Sequence, residues 1–310
     1  FWKFCQYKFY EQWKFLKQYA NTRGIQIIGD IPLYMAMDSA DVWADRKLFL
    51  LEEDGSQQHV AGSPPDNFSE EGQKWGNPVY DYSYMEEHQF DWWRHRIEKN
   101  AALYDVIRID HFLGVVRYYT IPFQEKDCCN GKWNKGPGKK LTDVMEESAG
   151  DCRIIADNAG SAIAGSRKLL ARIGWPGSKI LMFAFDGNTG NENLPHNFEE
   201  NNIVVYTGTH DNDTVVGYFR DKTEYELAYL YEYLNIGSKE EIPDALIRLA
   251  YSSIADVVII PMQDILQLGN EARMNQPSTV GQNWKWRVGK DTLSEERRAW
   301  IRTIAAVYRR

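Results

Sequence analysis

Apolar positions recur at three- and four-residue steps over residues 1–23, where Phe9, Trp13, Leu16 and Ala20 share a face and Gly24 supplies a stop. The pattern predicts further helices near 85–103 (carrying Trp92 and Trp93), 162–173, 223–234, 239–255 and 294–308. Between them lie short apolar runs that predict strands at 25–31, 105–110, 153–157, 178–185, 202–207 and 256–260. Pro32 closes the first. Continuous Val/Ile runs imply strands covered on both faces, hence a parallel sheet. Alternation with helices leaves two architectures, an open doubly wound sheet or a barrel. Two stretches escape the pattern. Residues 36–84 read as a long irregular insertion with turn chemistry at Ser63-Pro64-Pro65-Asp66 and Gly76-Asn77-Pro78, and 124–140 as a second loop rich in Gly, Lys and Trp. Loops of this length in a compact domain are usually functional.

Composition narrows the function. With 36 basic and 44 acidic residues the net charge is −8, which argues against nucleic acid and against an anionic membrane surface. No apolar run approaches the ~20 residues of a membrane span. Cys5, Cys128, Cys129 and Cys152 lack metal-ligand spacing and read as reduced thiols of a cytoplasmic protein. No Gly-rich phosphate loop follows a strand, which lowers the expectation of a bound nucleotide. The chain opens on Phe1, inside a helical pattern, and a fragment is expected.

Acids mark the strand ends. Asp30, Asp110, Asp157 and Asp264 lie at or just past a strand's carboxyl end, and Asp211 follows Thr207-Gly208-Thr209-His210. A single such Asp is often only a helix cap. Five on one rim would line the face where a β/α barrel builds its active site. The chain is 14% aromatic, with 11 Trp, 18 Tyr and 13 Phe. Aromatic loops around such a rim would stack on sugar rings while carboxylates act at the bond to be broken. Retaining glycoside chemistry needs two carboxyl groups about 5–5.5 Å apart, one attacking and one protonating. Asp110 and Asp157, on consecutive strands, suit that spacing, and Asp211 would stabilise the oxocarbenium-like transition state. Arg108 points to the same side as Asp110, where its charge would keep that carboxyl ionised.

Six segments now carry a resemblance: Gly29-Asp30-Ile31-Pro32-Leu33-Tyr34, Ala61-Gly62-Ser63-Pro64-Pro65-Asp66, Gly72-Gln73-Lys74-Trp75-Gly76-Asn77-Pro78, Arg108-Ile109-Asp110-His111-Phe112, Gly208-Thr209-His210-Asp211-Asn212 and Arg273-Met274-Asn275. Taken in order, they resemble the 4-α-glucanotransferases (amylomaltases, disproportionating enzymes) of glycoside hydrolase family 77 over essentially the whole chain. The resemblance implies a cofactor-free, retaining transfer of α-1,4-glucan segments between maltooligosaccharides on a (β/α)8 barrel. It implies Asp110 as nucleophile and Asp211 as transition-state stabiliser, with Arg108 and His210 flanking the sugar. Asp66, Phe68, Ser69, Gln73 and Trp75 match a loop covering the glucan, and Asn275 a further glucan contact.

Two departures stand out. The family's acid/base segment reads Ala-Glu-Asp-Leu-Gly, where this chain has Ala156-Asp157-Asn158-Ala159-Gly160. Asp157 is thus one methylene, about 1.5 Å, shorter than the expected Glu. Slow or absent transfer is therefore expected. Asn67 is a smaller departure, where the family often has Tyr. The second departure is strand number. Six strands match strands three to eight, so residues 1–310 are expected to be a partial, N-terminally truncated catalytic barrel with two open edges, prone to association.

Blander readings compete at several positions. His111 and His210 neighbour acids, but no two-His metal motif exists. Asp211-Asn212-Asp213 lacks the Gly and Glu of a calcium loop. Trp2, Trp13 and Trp93 read as core, Trp75 and Trp133 as loop residues near substrate, and Trp284 and Trp286 as either. Three function classes stay open: glucanotransferase, α-glucan hydrolase on the same barrel, and non-catalytic glucan-binding protein.

Overall fold

The computed structural model describes residues 1–65, 69, 71–128, 130–158 and 164–310. It divides into two compact units, Phe1–Pro176 and Gly177–Arg310. In the first, β1 (Ile28–Ile31), β4 (Val106–Ile109) and β7 (Arg153–Ala156) form a parallel sheet in the order β1-β4-β7. All three fall inside the predicted runs. Their register sets Asp30 opposite Arg108 and Ile109 opposite Ala156. One step further, the Asp157 N–H donates to the Ile109 carbonyl at 2.9 Å, so Asp110 and Asp157 leave the sheet side by side.

Ile107 and Ile109 of β4 share one core with Ile97, Phe112, Leu141 and Met145, all without solvent exposure. Trp93 joins them, as the sequence predicts. Trp2 does not: it is 78% exposed on the helix Trp2–Asn21, whose aromatic face is largely open. That helix is anchored by Trp13, whose Nε1 donates to the Leu103 carbonyl at 2.9 Å. Gly29 is required by close packing. A Cβ there would enter the ring of Tyr104.

Residues 36–84 are not an irregular insertion. They contain β2 (His59–Ser63) and β3 (Gln73–Pro78), which join β5 (Arg117–Pro122) and β6 (Lys132–Lys135) in an antiparallel sheet of order β3-β2-β5-β6. The expected loop at 124–140 likewise holds β6 and runs into the helix Lys139–Ala149, which buries Leu141, Met145 and Ala149 at four-residue steps. The predicted helix 85–103 is two helices, Tyr82–Glu87 and Asp91–Leu103, because Gln89 and Phe90 take positive φ. Phe90 is buried at that left-handed turn.

In the second unit β8 (Gly177–Ile180), β9 (Ile203–Tyr206) and β10 (Val257–Ile259) are parallel in the order β10-β9-β8. The predicted strand 178–185 stops early because Leu181–Phe183 turns into a 3-10 helix. Val204, Val205, Leu230 and Leu246 are fully buried around it. Among the described residues β1 pairs only with β4 and β10 only with β9, and no helix is long and apolar enough to cross a membrane.

Candidate active site

Arg108 is the centre of the first unit's site. Its guanidinium is only 7% exposed, and its two terminal nitrogens reach three carboxylates. Nη1 pairs with Asp30 Oδ2 at 2.6 Å and with Asp110 Oδ1 at 3.0 Å, and Nη2 pairs with Asp157 Oδ2 at 2.8 Å. The sheet register produces this, since Asp30 sits across from Arg108 and both acids after β4 and β7 turn to the same end. Asp110 is 34% exposed and reaches solvent, whereas Asp157 is 14% exposed.

Directly after Asp110, His111 adopts a left-handed backbone with φ of 50°. A non-glycine residue held this way stores strain, and such residues gather at functional sites. Here the turn lets the Phe112 N–H donate to the Asp157 carbonyl at 2.9 Å and brings the His111 N–H to 3.4 Å from Asp157 Oδ2.

The aromatic wall beside this cluster is Trp75. It lies within β3, not in a loop, with its ring edge on His111 at 4.7 Å and its face tilted over Tyr34 at 6.0 Å. Gln73 is buried and accepts from Trp75 Nε1 at 2.8 Å, so it orients the indole. Tyr34 stacks on Tyr80, whose hydroxyl donates to the Leu33 carbonyl at 2.7 Å. Ser69 donates to the Gly72 carbonyl at 2.8 Å and shapes the turn before β3. Asp66, Asn67 and Phe68 lie outside the described residues, as do Cys129, Ala159 and Gly160. Trp133 is a β6 residue packed edge-on against Tyr119, with Arg117 4.1 Å over its ring.

The second unit holds a different cluster, in the segment after β9. Asp211 Oδ1 accepts from Asn275 Nδ2 at 2.6 Å, and His210 Nε2 lies 3.4 Å from its Oδ2. The turn itself is tied by Asn212, whose Oδ1 accepts from the Thr209 N–H at 2.8 Å and hydroxyl at 2.9 Å. The Trp284 ring lies 5.1 Å from His210. Asp264 departs from expectation. It is 1% exposed in the helix Met262–Ile265 and accepts from the Thr207 hydroxyl at 2.6 Å and the Val215 N–H at 2.8 Å. Burial pushes its carboxyl up to about 6 although both hydrogen bonds pull the other way. It fastens β9 to the start of the helix Val215–Arg220 and is a structural acid, not part of a rim.

Of the sequence-predicted residues, the structure thus brings together Arg108, Asp110 and Asp157 in one unit and His210, Asp211 and Asn275 in the other. Sequence reading counts Asp30 among strand-end acids but gives it no role. Its position opposite Arg108 depends on pairing between strands 78 residues apart, which no local pattern reveals. Arg273, within the Arg273-Met274-Asn275 segment, likewise has no role that the sequence alone reveals.

The sequence profile of glycoside hydrolase family 77, described as 4-alpha-glucanotransferase, matches residues 1–292. A 4-alpha-glucanotransferase of Clostridium butyricum is 47% identical over the whole chain, which spans 64% of that relative. One of Thermus thermophilus is 43% identical over 97% of the chain, and 62% of its own length is covered. Among solved structures, an amylomaltase from Streptococcus agalactiae in complex with acarbose superposes with a TM-score of 0.92 at 42% identity, covering 98% of this chain and 62% of that one. Amylomaltase from Corynebacterium glutamicum shares the fold at 18% identity and a TM-score of 0.73, over 88% of this chain and 44% of its own. The chain therefore spans less than two thirds of the curated relatives described.

Proposed function

Because the chain belongs to glycoside hydrolase family 77, the 4-alpha-glucanotransferases, we propose that it transfers α-1,4-glucan segments by a retaining double displacement, slowed by Asp157. We read its six parallel strands as six of the eight staves of a (β/α)8 barrel, a reading that the partial coverage of its relatives supports. The observation that carries the functional reading is the Arg108 guanidinium holding the Asp110 and Asp157 carboxylates on neighbouring strand ends.

In this reading Asp110, the more open of the two, attacks the anomeric carbon and forms a glycosyl-enzyme ester. Asp157 gives a proton to the departing glucan oxygen, then takes one from the 4-hydroxyl of the acceptor glucan as that oxygen displaces Asp110. Asp211 supports the positive charge that develops on the sugar ring. Trp75 offers a face for stacking, and His210 and Asn275 complete the sugar contacts.

Asp157 explains the slowing. Its Oδ2 is drawn back onto Arg108 at 2.8 Å, while a Glu would carry its carboxyl about 1.5 Å further out. A misplacement of about 1 Å costs about 10²-fold in rate. Asp157→Glu in the full-length protein should therefore raise maltotriose disproportionation about 10²-fold, read as a ladder of longer and shorter glucans plus glucose. No gain would refute the slowing. Products limited to shorter glucans would assign hydrolysis, and maltooligosaccharide binding without turnover would assign a binding protein.

A further inference from the structure

We propose that Arg273 is the positioning residue for Asp211, acting through main-chain carbonyls and Asn275. The inference rests on the reading of Asp211 as transition-state stabiliser. Arg273 does not spend its hydrogen bonds on the carboxylate. Its Nη2 donates to the Asp211 carbonyl at 2.9 Å and its Nε to the Asn275 carbonyl at 2.9 Å. One rigid fork thus fixes two peptide units that are 64 residues apart. A third bond, from the Asn275 N–H to the His210 carbonyl at 3.1 Å, closes the ring.

The consequence falls on the side chains. With both backbones clamped, Asn275 Nδ2 is set against Asp211 Oδ1 at 2.6 Å, while His210 faces Oδ2. Both carboxylate oxygens are oriented before any sugar arrives. A group that stabilises developing charge is effective in proportion to such preorganisation, because nothing must turn at the moment of reaction. The clamp needs arginine specifically. A lysine ammonium is a point donor on a flexible stem and lacks the planar fork that spans the two carbonyls. Asp213 and Asp211 oppose the pull of burial on the Arg273 guanidinium, which helps hold a charged group at this half-buried place.

A positioning role predicts a distinctive kinetic signature. Losing an interaction felt only in the transition state lowers kcat and leaves KM nearly unchanged. In the full-length protein carrying Asp157→Glu, Arg273→Gln and Arg273→Lys should each lower kcat for maltotriose disproportionation by about 10²-fold. KM should move less than about threefold. Adding Arg273→Gln to Asn275→Leu should cost little further in kcat, since both act on one contact. Full kcat in Arg273→Lys, additive losses in the double variant, or a raised KM at parental kcat would overturn the proposal. A parent that transfers no glucan counts instead against the function proposed above. The clamp is then read directly in protein labelled with ¹³C at aspartate. The Asp211 carboxyl resonance, identified by its loss in Asp211→Asn, should shift in Arg273→Gln in the same direction as in Asn275→Leu. An unmoved resonance overturns the proposal whether or not the parent is active.

Discussion

In the unit Phe1–Pro176 one guanidinium, Arg108, takes the carboxylates of Asp30, Asp110 and Asp157 directly. In the unit Gly177–Arg310 the arginine takes two main-chain carbonyls, and the Asp211 carboxylate goes to the neutral amide of Asn275. The first arrangement solves a charge problem: three acids on adjacent strand ends repel one another unless a cation stands among them. The second solves an orientation problem, in which one carboxylate must be aimed. Removing the arginine should therefore fail differently in each case.

The largest effect is expected for Arg108→Met. It leaves three carboxylates around an apolar stem and should cost about 3–5 kcal/mol of stability, as when one partner of a buried ion pair is lost. Urea denaturation checks this, and a loss below about 1 kcal/mol would mean that the acids do not depend on Arg108. The next test concerns Asp264, the second unit's buried acid. Its carboxyl holds a proton up to about pH 6 when folded, against 3.8 as the ordinary value. Between those limits the folded state binds more protons, so stability should fall as pH rises through this window and level off above it. The total change is up to about 3 kcal/mol. Asp264→Asn should flatten the slope, and an unchanged slope would assign it to another group. The smallest effect is expected for Gly29→Ala. Crowding of Tyr104 should cost about 1–3 kcal/mol and shift Asp30 from Arg108. Unfolding at the parental midpoint would show that β1 has room to spare.

What the sequence revealed, and what it hid, divides along the same physical line. The strands at Asp30, Asp110 and Asp157 are legible as Ile- and Val-rich runs, although only β4 is buried throughout; β1 buries Gly29 and Ile31 and leaves Ile28 39% exposed. β2 and β3 are short, polar and broken by Gly62, Gly76 and Pro78, so no period marks them. Arg117–Pro122 does carry a legible aromatic and β-branched run, Tyr118-Tyr119-Thr120-Ile121, and the helix Lys139–Ala149 a legible apolar stripe. Trp13 is only half-buried and Trp2 exposed, because the helical period of residues 1–23 says which positions share a face but not how much of that face is covered. Motif order singles out the candidate acids individually. Their partners came from pairings across 78 residues, for Asp30 with Arg108, and 64 residues, for Asp211 with Asn275. Such contacts are properties of the fold and have no local signature.

The shared guanidinium also bears on how these residues can change over time. Replacing any one of the three acids by a neutral residue alters the balance felt by the other two and by Arg108, so their substitutions are epistatic rather than independent. The routes left open are those that keep a negative charge while altering its reach. An Asp-to-Glu exchange at position 157 is such a step: it moves the carboxylate outward by a single methylene and leaves its charge in the cluster.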